Sequence, residues 1–250
     1  MAMTKSGNPA LKSTVFDGLE KAGTQGERMT IQGTVNKVAF MLLTVIASGA
    51  LLWYRFSQSM DFAEVAPLFY GGLIGGFCVS LVIIFNKKLA PRLAFVYAVL
   101  EGLALGGISA LMERSYPGIV STATLLTFGT FAALLATYQS GLIRVTDNFR
   151  RMVISATGAI GIYYLLSFGL SFAGIRLPLI HDAGMPGIIF SLLVVGIAAM
   201  NLVLDFDFIE QGALRGAPKY MEWYGAFGLM VTLVWLYIEI LRLLSKSRSR

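Results

Sequence analysis

Histidine and cysteine are almost absent: 250 residues hold one of each, His181 and Cys78. A lone cysteine excludes an intrachain disulfide, and Cys78 lies inside an apolar run, so redox compartment is not readable. A lone histidine excludes the His-Glu-x-x-His pair of an intramembrane metalloprotease. It also leaves a rhomboid-like serine protease without a histidine base in the membrane. His181 itself, next to Asp182 between two apolar runs, reads as a solvated loop histidine. Charge is scarce as well. Only 14% of residues are charged, against about 25% in soluble domains, and 56% are apolar. The charges fall in short clusters between uncharged runs long enough for spans of about 20 residues. This excludes a sizeable soluble domain. It predicts an all-α, polytopic integral membrane protein.

Seven apolar segments follow one another: Val35 to Tyr54, Val65 to Asn86, Leu89 to Met112, Gly118 to Tyr138, Met152 to Ala173, Pro186 to Ile209 and Tyr220 to Leu244. Residues 1–32 precede them as a polar, weakly basic stretch without a sustained apolar period, which predicts a disordered cytoplasmic tail. The first apolar run starts too late, near Val38, for a signal peptide, and Ala47-Ser48-Gly49-Ala50 lies in mid-run. In the second segment, GGLIGG pairs Gly71 with Gly75 and Gly72 with Gly76 at four-residue spacing, which suits close helix packing.

Lys and Arg set the orientation, because they concentrate in cytoplasmic loops. With the N-terminus inside, the inner segments hold Lys5, Lys12, Lys21, Arg28, Lys37, Lys87, Lys88, Arg92, Arg144, Arg150, Arg151, Arg215 and Lys219. The outer loops hold Arg55, Arg114 and Arg176. The net charge of +6 is accounted for by this sorting, without nucleic acid. Lys246, Arg248 and Arg250 break the pattern if the seventh segment crosses fully. Either it crosses against those charges or it is re-entrant.

The carboxylates carry the functional reading, since ionisable groups within a span mark ion or proton paths by default. Asp205, Asp207 and Glu210 close the sixth segment, Glu101 lies near the middle of the third, and Glu239 lies far along the seventh. If the sixth helix ended near Asp205, the three acids would crowd the negative end of its dipole. So either the helix continues to about Gly212, or these groups bind something positive. Desolvation disfavours the charged form of a buried carboxyl, which is what a proton switch at Asp205 requires. Asp207 reads equally as a switch or as a wet helix end, and Glu210 reads as an end pairing with Arg215 or Lys219. Glu239 has Arg242 three positions on, close enough to pair on one helix face. Asp205 and Glu239 are offset by about 18 Å along their helices. They meet only if the stretch from Pro218 to Phe227 lies along the membrane surface. Asp205 and Asp207 point different ways on one helix, which disfavours a di-aspartyl protease. The last span has no lysine before Lys246 for a retinal Schiff base. No enzyme activity is expected.

The run NLVLDFDFIEQGALRGAPKYMEWYGAFGLMVTLVWLYIEILRLLSK, with YAVLEGLALGGIS and QSGLIRVTDNFRR, resembles the Bax-inhibitor family (the transmembrane BAX inhibitor motif group), in its bacterial branch. The similarity runs from about residue 28 to 246, so residues 33–246 are expected to form the family's transmembrane domain. The resemblance implies six helices around a central seventh, in a bacterial inner membrane with the N-terminus cytoplasmic. It implies a pH-sensitive calcium leak channel, with Asp205 and Glu239 as sensor acids and Ca²⁺ ligands. Asp207 and Glu101 are further candidate ion or proton sites by their positions in the spans, apart from the resemblance. Glu239 stands where better-known members carry Asp, and the segment between the two acids is longer here. A latch-like basic residue in helix two has its match at Lys87 and Lys88. Relatives are also described as suppressors of cell death and as partners of membrane proteases. This supplies the alternative: a non-conducting regulator of a protease or stress response. The bilayer and Ca²⁺ or H⁺ are the expected partners, and no cofactor is expected.

Overall fold

The computed structural model describes residues 28–175, 177–180, 182 and 184–249. The expectations for most of the N-terminal tail, for His181 and for Arg176 and Arg250 lie outside the described residues. Seven helices follow in order: α1 (Ile31–Ser59), α2 (Phe62–Phe85), α3 (Ala90–Ser115), α4 (Ile119–Gln139), α5 (Asp147–Ser171), α6 (Met185–Leu214) and α7 (Met221–Arg248). All seven are long and apolar enough to cross a membrane. No strand occurs among the described residues. Arg28 and Pro218 form an isolated antiparallel bridge.

Each apolar segment becomes one helix, and most helices outrun their segment. The charged and polar residues at the segment ends do not stop a helix, because long side chains can keep their heads in water while the backbone continues. Caps stop it instead. Thr30 caps α1, its side chain accepting from Gly33 N; Asp61 caps α2 through Ala63 N; Thr146 caps α5 through Phe149 N. One open choice closes here. α6 runs past its acids to Leu214, so Asp205 lies inside the helix and not at its negative end. α7 is one unbroken helix of 28 residues, about 42 Å long, which is ample for a full crossing. The surface-lying segment from Pro218 to Phe227 is not there: Met221 to Phe227 form the first two turns of α7 itself. In α7, 61% of the most apolar stretch is buried, against 17–44% in the other six, as expected of a helix with neighbours on most sides.

The described residues divide into two compact units, one of 28–117 with 208–230 and the other of 118–207 with 231–249. In the first, glycines let helices approach closely. A Cβ at Gly106 of α3 would stand 2.8 Å from Gly49 Cα of α1, and one at Gly72 of α2 would stand 2.6 Å from the Leu100 carbonyl of α3. The GGLIGG run therefore splits. Gly72 and Gly76 face α3, Gly75 touches the Leu100 side chain, and Gly71 faces open space. Leu52, Phe56, Val65, Phe69 and Ala110 form a buried apolar cluster in this unit.

The second unit is built of α4, α5, most of α6 and the far part of α7. Phe206 of α6 packs edge-on to Phe131 of α4 with ring centroids 5.6 Å apart. Asn201 Nδ2 donates to Thr157 Oγ1 of α5 at 2.7 Å. Large apolar side chains that remain exposed, such as Leu125, Leu165 and Phe172, are what a lipid-facing surface carries.

Candidate functional site

Residues Leu202 to Phe206 are buried on every side of α6. A helix that is apolar all round belongs in an interior, and the LVLDF stretch meets that pattern apart from its aspartate. Asp205 is 0% exposed. Asp207, two residues on, points elsewhere and meets Arg150 of α5, with Nη2 2.5 Å from its carboxylate; Arg150 is itself only 4% exposed. Arg150 also reaches Asp147 in the first turn of α5 at 3.4 Å. The QSGLIRVTDNFRR run thus supplies both the cap of α5, Thr146, and the counter-ion of Asp207. Glu210 is half-buried, one turn before the end of α6.

Glu239 is 1% exposed and sits in a polar set drawn from α5 and α7. Its Oε1 accepts from Tyr164 Oη at 3.0 Å, from Trp235 Nε1 at 3.3 Å and from Arg242 Nη1 at 2.9 Å. Arg242 Nη1 also reaches Oε2 at 3.1 Å and the Tyr164 hydroxyl at 2.6 Å, and its guanidinium stands 5.0 Å from the centre of the Tyr164 ring. The pairing with Arg242 anticipated from the three-residue spacing is present. Tyr164 and Trp235 were not anticipated.

One turn beyond Arg242 on α7, Lys246 is 6% exposed, and its ammonium donates to three oxygens: Leu179 O at 2.6 Å, Gly187 O at 3.1 Å and Ser191 Oγ at 2.9 Å. This ties the end of α7 to the start of α6. From that contact Asp205 lies about 14 residues along α6 and Glu239 about 7 residues back along α7, or about 21 Å and about 10 Å. The two carboxylates therefore stand at levels roughly 10 Å apart along the helices. One Ca²⁺, with ligands at about 2.3–2.6 Å, does not bridge both across that offset. Among the described residues no three His, Cys, Asp or Glu side chains gather as a metal site would need.

Glu101 of α3 is half-buried and hydrogen-bonds Tyr97, one turn earlier. Gly76 of α2 faces it, a Cβ there standing 3.2 Å from Oε2. Lys87 and Lys88 lie on the short 3-10 turn between α2 and α3, beyond the end of α2. Two of the sequence's candidates, Asp207 and Glu239, are thus held by arginines, and Asp205 is fully buried on α6.

A further buried acid escaped the sequence reading. Glu222, in the first turn of α7, is 0% exposed and accepts from Thr30 N and Thr30 Oγ1, each at 2.9 Å. It also pairs with Lys37 of α1 and, at 2.8 Å, with Lys219. Lys37 lies over the Trp223 ring, 5.4 Å from its centre. Met29 N donates to Ala217 O at 2.6 Å, and Gly216 takes the left-handed turn that precedes it, at φ 65°. GAPKYMEWYG is therefore the stretch that docks the chain entering α1. The Lys219 spacing was a visible signal for Glu222. Lys37, 185 residues away, was not.

A family model described as Bax inhibitor 1 like matches residues 8–249. Comparison with curated proteins and with solved structures returned no match.

Proposed function

The chain belongs to the Bax inhibitor 1 like family and is a multi-pass integral membrane protein, and from that premise we propose that it is a pH-sensitive cation leak pathway or exchanger. The observation that carries this reading is Asp205, a fully buried carboxyl inside a 30-residue membrane-spanning helix. A carboxyl is costly there and by default marks an ion or proton path. Protonation of Asp205 is the switch. Asp207 and Glu239 are acids whose charge is already balanced by Arg150 and Arg242. Glu101 is a further half-buried carboxyl, on α3 of the first unit, and Lys87 and Lys88 lie just beyond the end of α2. Ca²⁺ fits as cargo met by successive single carboxylates, which binds weakly enough to release the ion. The N-terminus is cytoplasmic in a cell membrane, by the sorting of Lys and Arg. No catalytic chemistry is assigned.

The rival reading is a non-conducting regulator of a membrane protease. It would use the glycine-rich α2 and the polar N-terminal tail as contact surfaces; of the α2 glycines, Gly72 and Gly76 already face α3. Ca²⁺ uptake into proteoliposomes at about pH 6 and about pH 8 separates the two readings, because a switch must titrate near this range. Wild-type uptake is expected to differ between the two, and Asp205→Asn is expected to remove the difference. Folded protein with no uptake at either pH would return the reading to the regulator.

A further inference from the structure

The partners of Glu239 share one property: each is a donor. The Tyr164 hydroxyl, the Trp235 indole N–H and the Arg242 guanidinium all converge on Oε1. A hard metal ion needs six to eight oxygens, and an indole N–H offers it no lone pair. A planar nitrogen cation needs something else: a carboxylate for its N–H groups and an aromatic face for its charge. Glu239 supplies the first, and Tyr164, 5.0 Å beneath the guanidinium carbon, supplies the second. We propose that Glu239, Tyr164 and Trp235 form a recognition site for a guanidinium-class cation, and that Arg242 is its resident, displaceable occupant.

Displaceability follows from the asymmetry of the pair. The Glu239 side chain is 1% exposed, whereas that of Arg242 is 30% exposed. The acid is fixed by donors from two helices, and the cation reaches it from the open side. The two lie three residues apart on α7, so Arg242 can leave by rotating its own side chain while both helices stay in place. Lys246, one turn on, is the counter-example. Its ammonium is closed in by three oxygens from the α5–α6 connection and the start of α6, and its withdrawal would open that end of the unit. This inference concerns binding and stands whether or not the chain conducts.

The test is thermal unfolding of the full chain in detergent, as Arg242→Ala, titrated with methylguanidinium chloride and with sodium chloride at matched ionic strength. Methylguanidinium is expected to raise the Tm saturably, with a half-effect concentration about tenfold below that of sodium, a difference of about 1.4 kcal/mol. The response should vanish in Arg242→Ala/Glu239→Gln and weaken in Arg242→Ala/Tyr164→Leu. Equal effects of the two salts, or an undiminished response in Arg242→Ala/Glu239→Gln, would overturn the site. Arg242→Gln provides the same titration if Arg242→Ala does not fold. Failure of both to fold, while Arg242→Ala/Glu239→Gln folds, would make Arg242 an obligatory counter-ion and overturn its displaceability.

Discussion

Glu222 and Glu239 lie on one helix and are 0% and 1% exposed, but different forces hold them. The donors to Glu222 come from Thr30 and Lys37, 192 and 185 residues away in sequence, with Lys219 alongside. The donors to Glu239 come from its own helix, at Trp235 and Arg242, and from Tyr164 of α5. The first acid therefore joins the start of α7 to the chain that enters α1. The second sits in a set whose donors come mostly from its own helix, with Tyr164 of α5 as the one partner from elsewhere among those described. Burial alone does not tell these two carboxylates apart; the reach of their partners along the chain does.

This contrast can be broken by substitution. The largest effect is expected from Glu222→Ala, which leaves the Thr30 N–H and the partly buried Lys37 without their acceptor, for about 3 kcal/mol. The measurement is the midpoint of thermal unfolding in detergent, and a loss under about 1 kcal/mol, the level of a surface pair, would refute the joining role. Lys246→Met comes next. It keeps the stem but leaves Leu179 O, Gly187 O and Ser191 Oγ without their donor, for about 2 kcal/mol by the usual penalty for unmade buried hydrogen bonds. Faster proteolysis of the α5–α6 connection should accompany it, and an unchanged cleavage rate would count against the tie. The smallest is Thr30→Ala, about 1 kcal/mol for a lost N-cap. The Glu222 contact makes this larger than for Thr146→Ala at the cap of α5, and equal losses at the two caps would deny the coupling of Thr30 to Glu222.

Much of the architecture was legible because its cause is local. A span needs only an uncharged run of sufficient length, so the seven apolar segments from Val35 to Leu244 map one to one onto α1–α7. The Glu239–Arg242 pair was legible for the same reason, since three-residue spacing on a helix dictates a shared face. Helix ends were less so. Asp205, Asp207 and Glu210 allowed a terminus there, but the backbone continues to Leu214, and Arg150 meets Asp207 from another helix.

By itself, then, the sequence determined the class of protein, the number of spans, and which carboxylates lie within hydrocarbon-length runs. These depend on composition and on period, which act over a few turns. Only the tertiary structure decided what each carboxylate faces. It placed Lys37 on Glu222, Arg150 on Asp207, Tyr164 on Glu239 and three oxygens on Lys246. It also cut the offset of Asp205 and Glu239 from the expected value of roughly 18 Å to about 10 Å. Such contacts join residues far apart in the chain through the packing of whole helices. Only packing fixes the rotation and height of one helix against another, and neither is written in the spacing of residues along a single one.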